Sequence, residues 1–433
     1  MTDTPLSAAL EKYAAKDLAR FHMPGHKGRL DGPLSAAAPY DITEVAGADS
    51  LYESSGPIAA MEDEYAGLYG AGASLLSAGG STLCIQAMIT LAVSAGGSLV
   101  IGRGCHRSAV NTMALLDITP VWLTRQTPEA VSAALASHPE AKAVYITSPD
   151  YYGELADVSA CSKAAHEHGA VLIVDNAHGA HLRFTPDDMH PLTFGADICC
   201  DSLHKSLPVL TGGALLHLRD GSLRGRAKRC MALYGSSSPS YLVMMSADRC
   251  LDYLAGPARE DYKKLTERMG TLRALAEKQG LAPLKDCEPA RLSLSVRASG
   301  LSAKDFAARL RFYGIEPEYV NSERAVLMAS PFNSERDFLR VSDCLQNSMG
   351  NGEQSPSFEL TRLPSVAMSL RDAVFSRSEE VGAEDSLGRV AASLSAPCPP
   401  CIALAAPGEI INEETVKLFK KYGVLKINVV ICN

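Results

Sequence analysis

The chain has 433 residues, too many for one compact core, and its length suggests roughly two or three domains. A composition of 46% hydrophobic and 21% charged residues is that of an ordinary globular protein, and a net charge of −8 without a basic stripe offers nothing to nucleic acid. The first ten residues are polar and lack a basic start followed by an apolar run, so the twelve cysteines are expected as reduced thiols in the cytoplasm.

In chain order, Leu6 to Leu18 reads as a short amphipathic helix leading into the turn Phe21-His-Met-Pro-Gly-His-Lys-Gly28. Pro57 opens a helix with Ile58, Met61, Tyr65 and Leu68 at helical spacing. Ala73 to Ala78 is a short strand, followed by Gly79-Gly80-Ser81-Thr82 and an apolar helix, Leu83 to Val93. Strand, glycine turn, hydroxyls and helix start make the layout of a phosphate cradle, because free N–H groups and the helix dipole favour an anion there. The uncharged stretch Ser81 to Gly102 contains Gln86 and Gly96-Gly97, so it reads as a buried helix and strand and no membrane association is expected. Strands at Ser98 to Ile101, Thr119 to Leu123 and Ala143 to Thr147 alternate with helices at Pro128 to Ser137 and Val158 to His168. That alternation predicts a mainly parallel sheet covered by helices.

Two later stretches carry the chemistry. Val171 to Val174 is apolar without alternation and stops on Asp175, a buried strand with an acid where open α/β sheets bind ligands. Asp197 to Cys200 reads as a second strand, entering a tight turn through Ser202 and His204 to Lys205, with Cys199 and Cys200 packed in the core. A lysine at that edge, in partly apolar surroundings, would have its neutral amine favoured and could bond covalently to an aldehyde. Pyridoxal phosphate needs that lysine, and a carboxylate to keep its pyridine nitrogen protonated. His178 and His181 invite a zinc reading, but the acid beside them is already explained by the cofactor. No metal site and no internal repeat are expected.

Beyond Lys205, Ala214 to Leu218 returns a strand to the sheet, and helices run from Tyr241 to Leu254 and Glu260 to Gln279. Arg291 to Arg297 alternates as a half-exposed strand, Ala303 to Phe312 is helical, and Val326 to Ala329 is a strand, a βαβ-like block. The polar run Ser348 to Ser357 reads as a linker to a C-terminal unit. The expected organisation is an arm (1–45), a large cofactor-binding domain (46–255), a small α/β domain (256–347), a linker (348–358) and a C-terminal α+β domain (359–433).

With Asp175-Asn-Ala-His178 followed by Ser202-Leu-His-Lys205, and Pro24-Gly-His-Lys27 upstream, the chain resembles the ornithine/lysine/arginine decarboxylases, in their short form. The likeness is strong from about Phe21 to about Leu218. It implies an α/β fold of the aspartate-aminotransferase type (pyridoxal-phosphate fold type I), and a homodimer or higher homo-oligomer with active sites at the interface. It implies Lys205 as the cofactor lysine, Asp175 as the ring-nitrogen partner and His106 stacked on the ring. Gly80, Ser81, Thr82, Ser202 and His204 fall to the phosphate, and His178 to the Asp175 side of the ring. The loop Gly235 to Pro239 is placed by the resemblance near the partner subunit's cofactor. The implied activity is decarboxylation of lysine, arginine or ornithine to a polyamine or its precursor. A long basic side chain needs an acid, for which Glu44, Asp49 and Glu409 are candidates.

The sequence departs from the family pattern at Ala396 to Glu409, where Cys398, Cys401 and Ala403 replace a tyrosine, a glycine and a proline, and Gly212 stands where a glutamine is common. Cys398-Pro-Pro-Cys401 has redox-dithiol spacing but no thioredoxin-like frame. These departures leave open another fold-type-I enzyme, a lyase or aminotransferase, or a non-catalytic relative that keeps the cofactor.

Overall fold

A computed structural model describes residues 4–354, 362–395 and 403–431. The chain divides into two compact units, Met1–Ala92 with Ile173–Asp261, and Val93–Leu172 with Tyr262–Asn433. The first seven strands are β1 (Ala73–Ser77), β2 (Ser98–Gly102), β3 (Thr119–Leu123), β4 (Ala143–Thr147), β5 (Val171–Asp175), β6 (Ile198–Asp201) and β7 (Ala214–Leu218).

In the first unit the strand order is β1-β7-β6-β5. β5 and β6 run parallel, with Asp175 opposite Cys200, while β7 is antiparallel to both β6 and β1. β1, β6 and β7 are buried along their whole length, and β5 from its second residue, which is why these runs do not alternate. The helix Pro57–Tyr69 begins on proline, and Gly70 ends it in the left-handed conformation with φ 67°. The helix Gly80–Ala92 buries Leu83, Cys84, Ile85, Met88, Ile89 and Leu91, so it is a core helix. Among the described residues no helix is long and apolar enough to cross a membrane. The N-terminal helix spans Pro5–Ala14 and stops short of the expected Leu18, which is 51% exposed and has no apolar face to extend.

In the second unit β4, β2 and β3 are adjacent in that order and parallel. A second sheet contains β8 (Arg291–Ser295), β9 (Tyr319–Val320) and β10 (Arg324–Met328), all antiparallel in the order β8-β10-β9. Two expectations change here. The block is antiparallel where a βαβ-like unit was expected, and β8 is wholly buried where alternation suggested half exposure. Arg291 and Ser295 of β8 find partners inside the fold, Arg291 donating through Nη1 to the carbonyls of Asp150 and Tyr151 and Ser295 through Oγ to the carbonyl of Glu353. The first part of the expected linker is also pinned: the amides of Gly350 and Gly352 donate to the carbonyls of Gln279 and Gly280. Glycine is required there, since a Cβ on Gly350 would lie 2.1 Å from the Gly280 carbonyl.

The C-terminal part pairs β11 (Ser378–Gly382) with β12 (Lys426–Val430) antiparallel, over a core that includes Leu404, Phe419, Ile427 and Val429. Helices Leu370–Phe375 and Glu413–Lys421 complete it, so an α+β region is present as expected. Cys398 and Cys401, with their dithiol reading, lie outside the described residues.

Candidate active site

Parallel pairing of β5 with β6 brings two chemically distinct strand ends together. Asp175 is 4% exposed, and its Oδ1 accepts the Ala177 amide at 3.1 Å and the Cys200 thiol at 3.7 Å. Burial pushes the Cys200 thiol well above its ordinary pKa, so it stays protonated and donates. Cys84, on the helix after the glycine turn, is likewise pushed up to about 12 by burial.

One residue past β6, the chain makes a single helical turn, Leu203–Ser206, that carries Lys205. Its Nζ lies 3.0 Å from Nε2 of His178, which follows Asp175 by three residues. Lys205 is exposed within this chain.

The glycine turn joins the same region through backbone bonds. Gly80, at φ 69°, donates its amide to the Gly212 carbonyl at 2.8 Å, and the Gly212 amide donates to His204 Nδ1 at 3.3 Å. His204 Nδ1 also contacts Ser202 Oγ at 3.3 Å. Ser81 and Thr82 lie in the first turn of the helix, half-buried and exposed respectively. A cavity of about 210 Å³ opens here, lined by Tyr52, Gly79, Thr82, Leu83, Tyr234 and Gly235 among others. Gly235, in the loop expected near a partner's cofactor, packs against Tyr52 of its own chain. Free helix amides, two hydroxyls and an imidazole suit a phosphate; Asp175 suits a pyridine nitrogen; Lys205 suits an aldehyde. The donor set fits pyridoxal phosphate in all three respects.

The remaining expected residues are placed differently. His106 belongs to the second unit, exposed, and caps the helix Arg107–Leu116 with Nδ1 accepting the Ser108 amide at 3.2 Å. Asp49 is consumed locally: its carboxylate accepts the amides of Ser50, Ser55, Gly56, Ile58 and Ala59, and these bonds outweigh burial to hold its pKa below the usual carboxylate value. Glu409 is 1% exposed and meets Arg103 in a bidentate pair at 2.7 and 2.9 Å, with a further bond from the Ala406 amide at 2.8 Å. Neither acid is presented to a cationic substrate. Glu44 is exposed.

Sequence reasoning passed over a buried polar cluster behind this site. Asp201, fully buried, is approached by Asn176, His190 and His217. The signal was available: in β6 the acid alternates with Cys199 on a face that should be wholly apolar. A separate cavity of about 380 Å³ in the second unit, among Met269, Leu292, Leu327 and Phe338, contains none of the expected site residues.

The fold is shared with pyridoxal-phosphate enzymes of known structure. Lysine decarboxylase of Francisella novicida superposes with a TM-score of 0.81 over 99% of this chain and 81% of that one, at 16% identity. The constitutive lysine decarboxylase of E. coli gives 0.80 over 99% and 82%, at 18% identity. Serine palmitoyltransferase of Sphingomonas wittichii gives 0.55 over 66% of this chain and 74% of that one, at 16% identity.

Sequence comparison narrows the class. Residues 4–293 match the family model "Orn/Lys/Arg decarboxylase, major domain", and residues 354–425 match "Orn/Lys/Arg decarboxylase, C-terminal domain". The chain belongs to the Orn/Lys/Arg decarboxylase family. Arginine decarboxylase of Bacillus subtilis is 27% identical over 457 residues, covering 97% of this chain and 93% of that protein. Arginine decarboxylase of Halalkalibacterium halodurans is 28% identical over 456 residues, covering 96% and 93%.

Proposed function

We propose that this chain decarboxylates a basic amino acid, lysine, arginine or ornithine, with pyridoxal phosphate as cofactor, to give CO2 and a polyamine or its precursor. The observation that carries the reading is Lys205 Nζ at 3.0 Å from His178, beside the buried Asp175, in a chain of this family. When bound, pyridoxal phosphate supplies the electron sink for the pair left as the carboxylate departs.

The residues of this chain do the rest. Lys205 would hold the aldehyde carbon, and Asp175 would accept a hydrogen bond from the protonated ring nitrogen. Cys200 donates to Asp175 and helps keep its carboxylate oriented. Ser81, Thr82, Ser202 and His204 would hold the phosphate, Gly80 would shape the turn that presents them, its own amide being bonded to the Gly212 carbonyl, and His106 would cover the ring face. His178 is within reach to exchange a proton with Nζ of Lys205. Of the three acids named for the substrate, Glu44 remains the candidate for the distal cation. A homodimer in the cytoplasm completes the reading. The exposed apolar side chains of the arm support it, with Phe21 96%, Met23 64% and Leu34 60% accessible in the single chain.

Purified protein with added pyridoxal phosphate, offered lysine, arginine and ornithine separately, tests the reading. Amine and CO2 from one substrate are expected, and Lys205→Ala should abolish both. Cofactor binding without CO2 from any of the three would defeat it.

A further inference from the structure

The Asp201 cluster lies on the sheet face opposite Asp175. Its carboxylate accepts Asn176 Nδ2 at 2.6 Å on Oδ1, and on Oδ2 is 3.1 Å from His190 Nε2 and 3.3 Å from His217 Nε2. The hydrogen positions follow from the outer contacts. His190 Nδ1 accepts the Leu192 amide at 3.4 Å, so its Nε2 carries the proton that faces Asp201. His217 Nδ1 is 2.8 Å from Ser74 Oγ, a hydroxyl able to donate, which leaves Nε2 as a second donor to Asp201. The ring of Tyr69 packs on both imidazoles, with centroids at 5.1 and 4.5 Å.

Cys199, His190 and Asp201 lie close enough to hold a metal ion, their nearest ligand atoms all within 4.8 Å. A metal needs a bare imidazole nitrogen and a thiolate. Here the two imidazole nitrogens that face Asp201 carry protons, and burial keeps the Cys199 thiol protonated. The group is instead a buried anion held by three donors. Burial raises its pKa, but the two imidazoles outweigh that and hold it below its ordinary value.

A buried charge is costly, and this one sits between the two strand ends that carry the cofactor residues. Asn176 directly follows Asp175, and Asp201 directly precedes Ser202 and the turn with Lys205. The Asn176 amide donates to the Cys200 carbonyl at 3.0 Å, so the β5–β6 ladder is extended by one backbone bond and one charged side-chain bond. We propose that Asp201 is a positioning residue: anchored by His190 and His217, it clamps Asn176 and so fixes the spacing of Asp175 and Lys205. The proposal rests on the pyridoxal-phosphate reading given above.

Asn176→Ala is the discriminating variant, since it cuts the clamp but leaves both imidazole bonds to Asp201. In the full-length protein loaded with pyridoxal phosphate, the absorbance that Lys205→Ala removes should persist. Its pH midpoint should move by about half a unit as Asp175 and Lys205 change spacing. With the amino acid that the wild type decarboxylates, kcat should fall about tenfold while KM stays within about twofold. Ser74→Ala, which loosens the outer rim of the cluster, is the control for stability alone and should move the melting temperature without moving the midpoint. An unchanged midpoint and kcat in Asn176→Ala, whatever its melting temperature, would overturn the proposal. So would one zinc per chain in the wild type, which would make the cluster a metal centre. If the wild type itself lacks the Lys205-dependent absorbance, the cofactor reading fails first and the clamp falls with it.

Discussion

At the residue scale, the side chains that matter are fixed by the company they keep. Arg103 and Glu409 are each 2% or less exposed and bond to each other at both ends, while the guanidinium also stacks at 4.8 Å over the ring of Trp122. Both belong to the second unit, so the pair joins the end of β2 to the C-terminal region, as does the Ala403 amide bonded to the Arg103 carbonyl. Arg103→Met would leave the Glu409 carboxylate buried and uncompensated, and should lower stability by about 3–5 kcal/mol. Arg103→Met with Glu409→Gln should recover part of that loss, and denaturant melts of the two variants decide it. Recovery would show that the pair acts in folding rather than in contacting substrate.

Elements were legible wherever burial and periodicity agreed. β3, β4, β5 and β7 span the stretches that their apolar runs predicted, and the glycine turn and its helix lie where the phosphate-cradle pattern placed them. Helices Arg107–Leu116, Arg224–Ala232 and Glu335–Gln346 went unread. The second of these, RGRAKRCMA, is so basic that its helical face shows only once Ala227, Lys228 and Met231 are buried. Lys228 bonds to the buried Glu62, a partner 166 residues away that no local pattern reports. β8 misled for the same reason, because Arg291 and Ser295 find partners inside the fold. The site was half legible: Asp175, His178 and Lys205 come together, but Asn176, His190 and His217 meet Asp201 only through tertiary packing. At the glycine turn, Gly80→Ala meets open space but a φ of 69°, so it should cost about 1–2 kcal/mol through backbone strain. Titration of pyridoxal phosphate into Gly80→Ala should also show weaker binding than into the wild type.

For the whole molecule, the Asp201 cluster sets an acid limit. Burial lowers the His217 pKa against the pull of Asp201, so the folded state holds it neutral. A histidine whose folded pKa lies below its unfolded value, about 6.5, contributes stability above that pH and loses it as the pH falls further. Asp201 adds a second loss below about pH 4, since its folded pKa also lies below its unfolded one. Urea midpoints should therefore drop from pH 7 to pH 5, and His217→Asn should show a shallower drop over that range. An equal drop in both would remove His217 from the account.

In the proposed reaction the bond broken is the one to the α-carboxylate. Labelling that carboxyl carbon in each of lysine, arginine and ornithine and following the label under turnover tests it most directly. Label should be released as CO2, one for each amine formed, from one of the three and only with Lys205 intact. Label retained in an oxo acid, with the cofactor left in its amine form, would contradict it and make the enzyme an aminotransferase.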